Sequence, residues 1–351
     1  MLDQPGFLRA NDLEDMEGRI REFPEQCLVA WDAAGQCELP ALGDVRAVAI
    51  FGMGGSAIGA DLVRCLADTD TLAPIVVIRD YQLPGWVGPG TLAIGASHSG
   101  STEETLTSMR AAIAAGATPI ALTGGGPLGD LVLDADGTIV PVRYRARPRA
   151  ALAHLFLPLL RVLARLGLIA DRSAELAATV PALQAMRDAW APEAAEAGNE
   201  AKQVARALDG RLPVVVGAGH LAPVAVRWKG QINENAEGWA VSETLPEMNH
   251  NVVVGFGLPA EVAKLVSVVF LASPLLPDRL RLRIEVTGDL LDRAGIPHRT
   301  ILATGLSPLA DQLELVHLGD WTSFYLAALR GVDPSRMEPI DQLKAALASR
   351  A

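Results

Sequence analysis

The sequence predicts an α/β fold built from two doubly wound parallel-sheet domains, with helices at both ends of the chain, and three observations support this. Short runs of Val, Ile, Leu and Ala alternate with helix-length stretches, first over 45–142 and again from 212 onward. Runs of this kind are typical of strands that are buried on both faces of a parallel sheet. The chain has 351 residues, enough for two domains. Only 5% of them are aromatic, so aliphatic side chains must fill both cores.

The first half of the chain contains the runs that predict the first sheet. The predicted strands cover 45–51, 74–78, 91–96, 118–122 and 137–142. Before them, residues 1–35 are predicted to be helical, with an apolar stripe made by Leu13, Met16, Ile20 and Phe23. Since parallel strands end at one edge of a sheet, the loops 52–56, 97–102 and 123–127 are expected to meet there, where such folds bind ligands.

The same alternation of strand and helix returns in the second half. Predicted strands cover 212–216 and 298–303, an apolar segment covers 262–271, and predicted helices cover 226–237, 281–294, 308–329 and 340–347. The predicted organisation is a helical segment over 1–35, a first domain over 36–165, a helical connector over 166–205, a second domain over 206–335 and a C-terminal helix over 336–351.

Composition excludes several classes of function. The formal net charge of −11 disfavours nucleic-acid binding, which needs a basic surface. Cys27, Cys37 and Cys65 form no C-x-x-C pair, which is typical of reduced thiols in a cytoplasm. The start of the chain lacks the pattern of a secretory signal, and no apolar run is long enough to span a membrane. No His-based metal motif and no P-loop occurs, so we expect neither metal nor cofactor.

The first glycine-rich loop, over 51–59, allows two interpretations. Gly54, Gly55 and Ser56 lie between a strand and a helix, where backbone N–H groups can bind a phosphate. The same loop also fits a dinucleotide motif, in which Asp80 would hold the ribose. By itself this loop does not decide between a phosphosugar and a dinucleotide.

The second loop favours a phosphate monoester. Ser97, Ser99, Ser101 and Thr102 place four hydroxyls within six residues, directly before a predicted helix. Hydroxyls and free N–H groups at a helix N-terminus can bind a phosphate without a metal. Helix capping, the alternative explanation, needs only one hydroxyl.

Together these loops resemble the sugar isomerase (SIS) domain family, whose domains have flavodoxin-like layers. Three further segments, 148–152, 233–237 and 245–251, resemble the bifunctional phosphoglucose/phosphomannose isomerase family. This resemblance extends over nearly the whole chain and rests on five motifs in order.

The resemblance implies a role for each site residue. Glu234 corresponds to the base that moves a proton between C1 and C2 through a cis-enediol. His250 corresponds to the ring-opening histidine, which a neighbouring subunit supplies. Arg149 corresponds to the arginine that faces the enediolate oxygens, and Lys344 to a lysine that reaches the site. The implied phosphate-binding residues are Gly54, Gly55, Ser56, Ser97, Ser99 and Thr102.

The implied function is metal-independent isomerisation of glucose 6-phosphate and mannose 6-phosphate to fructose 6-phosphate. The implied assembly is a homodimer with a shared site, in the cytoplasm, whose only other partner is the sugar phosphate. The chain departs from the family at His98 and Ser101, where Tyr and Asn are common, and at Glu237, where Lys is usual. These departures leave an alternative: a phosphosugar-binding sensor without turnover.

Overall fold

A computed structural model of the chain describes residues 1–71 and 73–350 and contains two parallel β-sheets covered by helices. The first sheet consists of β1 (Ala47–Gly52), β2 (Ile75–Ile78), β3 (Thr91–Ser97), β4 (Thr118–Thr123) and β5 (Thr138–Pro141). Its order, β2-β1-β3-β4-β5, is the order of flavodoxin-like sheets. The five strands predicted for this half are confirmed, with ends shifted by no more than two residues. The predicted C-terminal helix includes Ala351, which lies outside the described residues.

Helices cover both faces of this sheet and precede it. The N-terminal helices are α1 (Pro5–Arg9), α2 (Met16–Arg21) and α3 (Phe23–Gly35), and those within the first domain are α4 (Gly54–Ala67), α5 (Glu103–Ala114), α6 (Gly126–Leu133) and α7 (Leu152–Arg165). In the predicted N-terminal stripe, Met16, Ile20 and Phe23 are buried. Leu13 is 78% exposed, so its assignment to the stripe was wrong. It falls in the turn before α2, where the helical period does not hold.

The second sheet has four parallel strands. They are β6 (Leu212–Ala218), β7 (Val241–Leu245), β8 (Val266–Ala272) and β9 (His298–Leu302), in the order β7-β6-β8-β9. Its helices and those of the connector are α8 (Ser173–Trp190), α9 (Glu200–Leu208), α10 (Ala222–Asn235), α11 (Ala260–Leu265), α12 (Asp278–Arg293), α13 (Pro308–Arg330) and α14 (Glu338–Ala348). β7 was not predicted. The apolar segment 262–271 proved to be the end of α11 followed by β8.

Helix α13 lies at the centre of the molecule, and most of its residues are buried. It packs against α8, α9 and α10, and its Trp321 and Tyr325 rings stack with centroids 5.7 Å apart. One continuous core therefore joins the two halves. Among the described residues, no helix has the length and hydropathy needed to cross a membrane.

Two histidines in this interior predict how stability changes with pH. Burial lowers the pKa of His317 to about 3 and that of His154 to about 4. Both rings stay neutral in the folded state, whereas in the unfolded chain they bind protons below about pH 6.5. The free energy of unfolding should therefore fall as pH drops below 6.5, by up to about 1.4 kcal/mol per pH unit for each histidine.

Thermal unfolding of the wild type and of His317→Gln between pH 8 and pH 4.5 measures this effect. We expect the Tm of the variant to depend less on pH than the Tm of the wild type. Equal pH slopes for the two proteins would show that His317 is not held neutral by the fold.

Candidate active site

The loops that follow β1, β3 and β4 meet at the carboxyl edge of the first sheet. The N–H of Gly124 donates to the carbonyl oxygen of His98 (3.1 Å), and the N–H of Leu128 donates to that of Gly100 (2.9 Å). These bonds attach the serine loop, residues 97–102, to the loop after β4. The edge therefore presents a fixed backbone surface.

Within the serine loop the hydroxyls bond to one another. Ser97 Oγ and Thr102 Oγ1 lie 2.9 Å apart, and Ser101 Oγ donates to Ser99 Oγ at 2.9 Å. Thr102 is the N-cap residue of α5, but its side chain forms no capping hydrogen bond. Helix capping therefore does not explain the hydroxyls of the serine loop. The first-turn N–H groups of α5 have no side-chain cap, which leaves them available to an anion.

The glycine loop lies beside the serine loop at the same edge. Helix α4 begins at Gly54 without a side-chain cap on its first N–H groups. A Cβ atom on Gly55 would lie 3.1 Å from the carbonyl oxygen of Pro148, so a larger residue would push the two segments slightly apart. Asp80, the ribose ligand in the dinucleotide interpretation, instead accepts hydrogen bonds from the N–H groups of Tyr81 and Gln82. The geometry therefore favours the phosphate interpretation.

Glu234 reaches this edge from the second domain. It lies in the last turn of α10, and its Oε2 atom is 3.0 Å from Nε of Arg149. The Arg149 side chain is 1% exposed and that of Glu234 is 35% exposed. Both Gly54 and Gly55 line the cavity of about 280 Å³ that Glu234 also lines. The structure thus brings the glycine loop, Arg149 and Glu234 together.

The guanidinium of Arg149 also binds backbone. Its Nη1 donates to the carbonyl oxygens of Glu234 (2.8 Å) and Pro334 (2.9 Å), and its Nη2 donates to that of Arg336 (3.1 Å). Burial lowers the pKa of this guanidinium, while the carboxylate of Glu234 acts in the opposite direction. Arg149 therefore links the end of α10 to the segment that precedes α14.

A buried charged cluster beneath Arg149 was missed by the sequence analysis. Arg227 Nη2 donates to the carbonyl oxygen of Arg149 (2.5 Å) and to the Asp320 carboxylate (3.0 Å), which also accepts from Gln231 (2.8 Å). Burial raises the pKa of Asp320, and the nearby Arg227 opposes that rise. No signal in the sequence marked this pair, because α10 and α13 both carry other charged residues. Through the hydrogen bond from Arg227 to its carbonyl oxygen, the cluster holds the backbone of Arg149 in place.

The structure does not bring His250 to Glu234 within one chain. Parallel pairing places Leu245, the end of β7, opposite Ala218 at the carboxyl edge of the second sheet, and His250 follows directly. Helix α10 starts at that same edge and runs back, so Glu234 lies toward the opposite edge, about 16 Å away for a five-residue strand. His250 and Lys344 are exposed, and neither bonds to another described residue through its side chain.

The carboxyl edge of the second sheet is filled by a side chain of the protein itself. The buried Asp311 carboxylate accepts hydrogen bonds from Ser273 Oγ (2.5 Å) and from the N–H of Gly305 (2.9 Å), and it lies 2.9 Å from His220 Nε2. At the first sheet, in contrast, Ser99 and Ser101 are exposed, while Ser97 is buried and bonds to Thr102. Of the two edges, the first is the one open to a phosphate.

Two doubly wound sheets and an uncapped serine loop define a protein of the SIS-domain class. Residues 197–347 match the family described as Bacterial phospho-glucose isomerase C-terminal SIS domain. A structure of a hypothetical protein from Thermus thermophilus has the same fold, with a TM-score of 0.74 and 17% identity over 98% of this chain and 92% of that one. The C-terminal domain of glucosamine-fructose-6-phosphate aminotransferase from Francisella tularensis has a TM-score of 0.66 and 16% identity, over 94% of this chain and 99% of that one.

Comparison with relatives narrows the class to one family. The chain is 36% identical to the bifunctional phosphoglucose/phosphomannose isomerase of Caldicellulosiruptor bescii, over 94% of this chain and 98% of the relative. It is 33% identical to the protein of the same name from Aquifex aeolicus, over 87% of this chain and 92% of the relative. The chain therefore belongs to the bifunctional phosphoglucose/phosphomannose isomerase family.

Proposed function

We propose that this chain interconverts glucose 6-phosphate and mannose 6-phosphate with fructose 6-phosphate, through a cis-enediol and without a metal. The observation that carries the proposal is that Glu234 lines a cavity that is also lined by the glycine loop. Family membership supports it, since both relatives described above are named for these two activities.

In this proposal the phosphate binds at the carboxyl edge of the first sheet. The hydroxyls of Ser97, Ser99 and Thr102 and the N–H groups of Gly54, Gly55 and Ser56 donate to its oxygens. Two helix N-termini, of α4 and α5, add favourable dipoles. Hydrogen bonds of this kind neutralise a phosphate without a cation.

Glu234 then acts as the base. Its carboxylate takes the proton from C2 of the open-chain aldose while O1 gains a proton, which gives the cis-enediol. The same carboxylate then returns the proton to C1 while O2 loses its proton and becomes the carbonyl of the ketose. One base on one face of the substrate is sufficient, because the two carbons are adjacent. Arg149, held 3.0 Å from this carboxylate, orients it, and we propose that it also stabilises negative charge on the enediol oxygens.

His250 opens the sugar ring in this proposal and comes from a second subunit. The opposite positions of Glu234 and His250 on the second sheet support this, since one chain alone leaves them far apart. An imidazole that titrates near neutral pH can move a proton between the ring oxygen and O1. The enzyme is therefore a homodimer with shared sites. Lys344, on the exposed α14, assists at the same site.

The proposed compartment is the cytoplasm. The three cysteines are unpaired, and burial raises the pKa of the Cys65 thiol to about 11, which keeps it protonated and unreactive. Unpaired thiols of this kind suit a reducing compartment.

A coupled assay with EDTA present tests the proposed function. We expect both glucose 6-phosphate and mannose 6-phosphate to be formed from fructose 6-phosphate at rates that EDTA does not change. Tight binding of fructose 6-phosphate with no turnover in either direction would instead indicate a phosphosugar sensor. Loss of activity with EDTA, restored by a divalent cation, would contradict the metal-independent mechanism.

A further inference from the structure

The C-terminal helix α14 presents an apolar stripe that the described residues leave largely exposed. Ile340, Leu343 and Leu347 share one face of the helix and are 36%, 61% and 55% exposed. None of the side chains described over 338–347 is buried. An isolated helix of this length is marginal in water and gains its stability from packing its apolar face. The exposed stripe therefore indicates that another surface packs against α14.

A groove with matching chemistry lies on the outer face of α12. Leu282 and Val286 are 44% and 49% exposed, and with Val253 they line a cavity of about 270 Å³. Arg279 and Arg283 line the same cavity. This surface, defined by these five residues, is called the α12 groove below. Its apolar floor and basic lining are suited to an acidic amphipathic helix.

The charges of α14 complement the groove. Its first turns carry Glu338 and Asp341, while the chain as a whole has a net charge of −11. In such an acidic protein, two arginines beside an exposed apolar groove favour an acidic partner. The spacing of Ile340, Leu343 and Leu347 is the i, i+3, i+7 pattern by which a helix anchors in a groove.

The positions of helix and groove identify the occupant as a second copy of this chain. Helix α14 follows Arg336, whose carbonyl oxygen accepts from Arg149, so it begins beside Glu234. The groove instead adjoins His250, because Asn249, the residue before it, accepts a hydrogen bond at Oδ1 from Nη1 of Arg283 in the groove (3.0 Å) and lines the same cavity. Within one chain these two places lie toward opposite edges of the second sheet.

We propose that α14 of each chain docks in the α12 groove of the other. Because the exchange is mutual, it closes a two-fold symmetric dimer. It also places His250 of one chain beside the start of α14, and hence beside Glu234, of the other. This inference rests on the proposed function only for the role of His250; the docking itself stands on the two uncovered surfaces.

Sedimentation of Leu343→Glu at a series of concentrations tests the docking. We expect its self-association to be at least about tenfold weaker than that of the wild type, because an anchor residue becomes charged. Leu133→Glu is the matched control, since Leu133 is also exposed, at 56%, but lies on α6. A wild-type chain that stays monomeric, or a Leu343→Glu variant that associates as tightly as the control, would overturn the inference.

Charge reversal provides a second, independent test. Arg279→Glu and Asp341→Lys should each weaken self-association, and a chain with both changes should recover most of the lost affinity. A double variant that associates no more tightly than either single variant would argue against this pairing.

The isomerase assay separates the docking from the proposed function. An active enzyme whose self-association does not depend on α14 refutes only the docking. An inactive protein whose dimer depends on α14 refutes only the function.

Discussion

Replacing Glu234 with glutamine is expected to lower kcat for both aldose phosphates by about 10²–10⁴-fold, the usual contribution of a general base. Glutamine has nearly the same shape but cannot accept the C2 proton. The serine loop and the glycine loop lie on the other domain and are unchanged, so fructose 6-phosphate should still bind. Steady-state kinetics gives kcat, and calorimetric titration gives the dissociation constant.

The neighbouring Glu237 provides the control for this variant. Its carboxylate lies 3.4 Å from Arg336 on the surface and does not line the cavity that holds Glu234. Glu237→Gln should therefore keep kcat within a few-fold of the wild type, which also tests whether this departure from the family affects turnover. Wild-type turnover in Glu234→Gln would refute the assignment of the base.

Replacing Gly100 with alanine is expected to lower kcat/KM by about 10²-fold, the effect of misplacing a binding group by roughly 1 Å. Gly100 has φ +69, and a Cβ atom there would lie 1.8 Å from the carbonyl oxygen of Gly125. The serine loop must therefore move away from the loop after β4. Kinetics measures the loss, and the increase in Tm caused by inorganic phosphate should shrink in parallel.

Gly167→Ala separates backbone strain from loop displacement. Gly167 has nearly the same angle, φ +73, but no atom within 4 Å of an added Cβ, and it lies in the turn after α7. That variant should lose only about 1–2 kcal/mol of stability and none of its kcat/KM. If Gly100→Ala binds and turns over substrate as the wild type does, the serine loop does not hold the phosphate.

Most of the strands predicted from the sequence are short apolar runs. β1 and β3 are apolar and buried along their whole lengths, so their runs stand out from the surrounding sequence. β7 was missed because its residues are mostly polar, whereas the edge strand β2 was predicted from its run of Ile and Val. Of its residues only Leu245 is buried, while Ser242, Glu243 and Thr244 are polar and lack the apolar alternation expected of a strand.

The site was predictable only as separate pieces. The serine loop is local, so its hydroxyls can be recognised in six consecutive residues. The contact between Arg149 and Glu234 joins positions 85 residues apart, and the pair of Arg227 and Asp320 joins positions 93 apart. No spacing rule covers such distances, because tertiary packing alone determines which helices meet. The exposure of the apolar stripe of α14 likewise could not be predicted, because only the folded structure shows which surfaces remain exposed.

Sharing of the active site is tested most directly by mixing two inactive variants, Glu234→Gln and His250→Ala, after separate purification and subunit exchange. Each mixed dimer should contain one intact site, with Glu234 from one chain and His250 from the other. At equal amounts, we expect about a quarter of the wild-type activity per chain, as an isologous dimer requires. As a control, a chain with both substitutions should also inactivate wild-type subunits when mixed with them. No recovery of activity, together with wild-type subunits that keep their full activity in the control, would contradict a shared site.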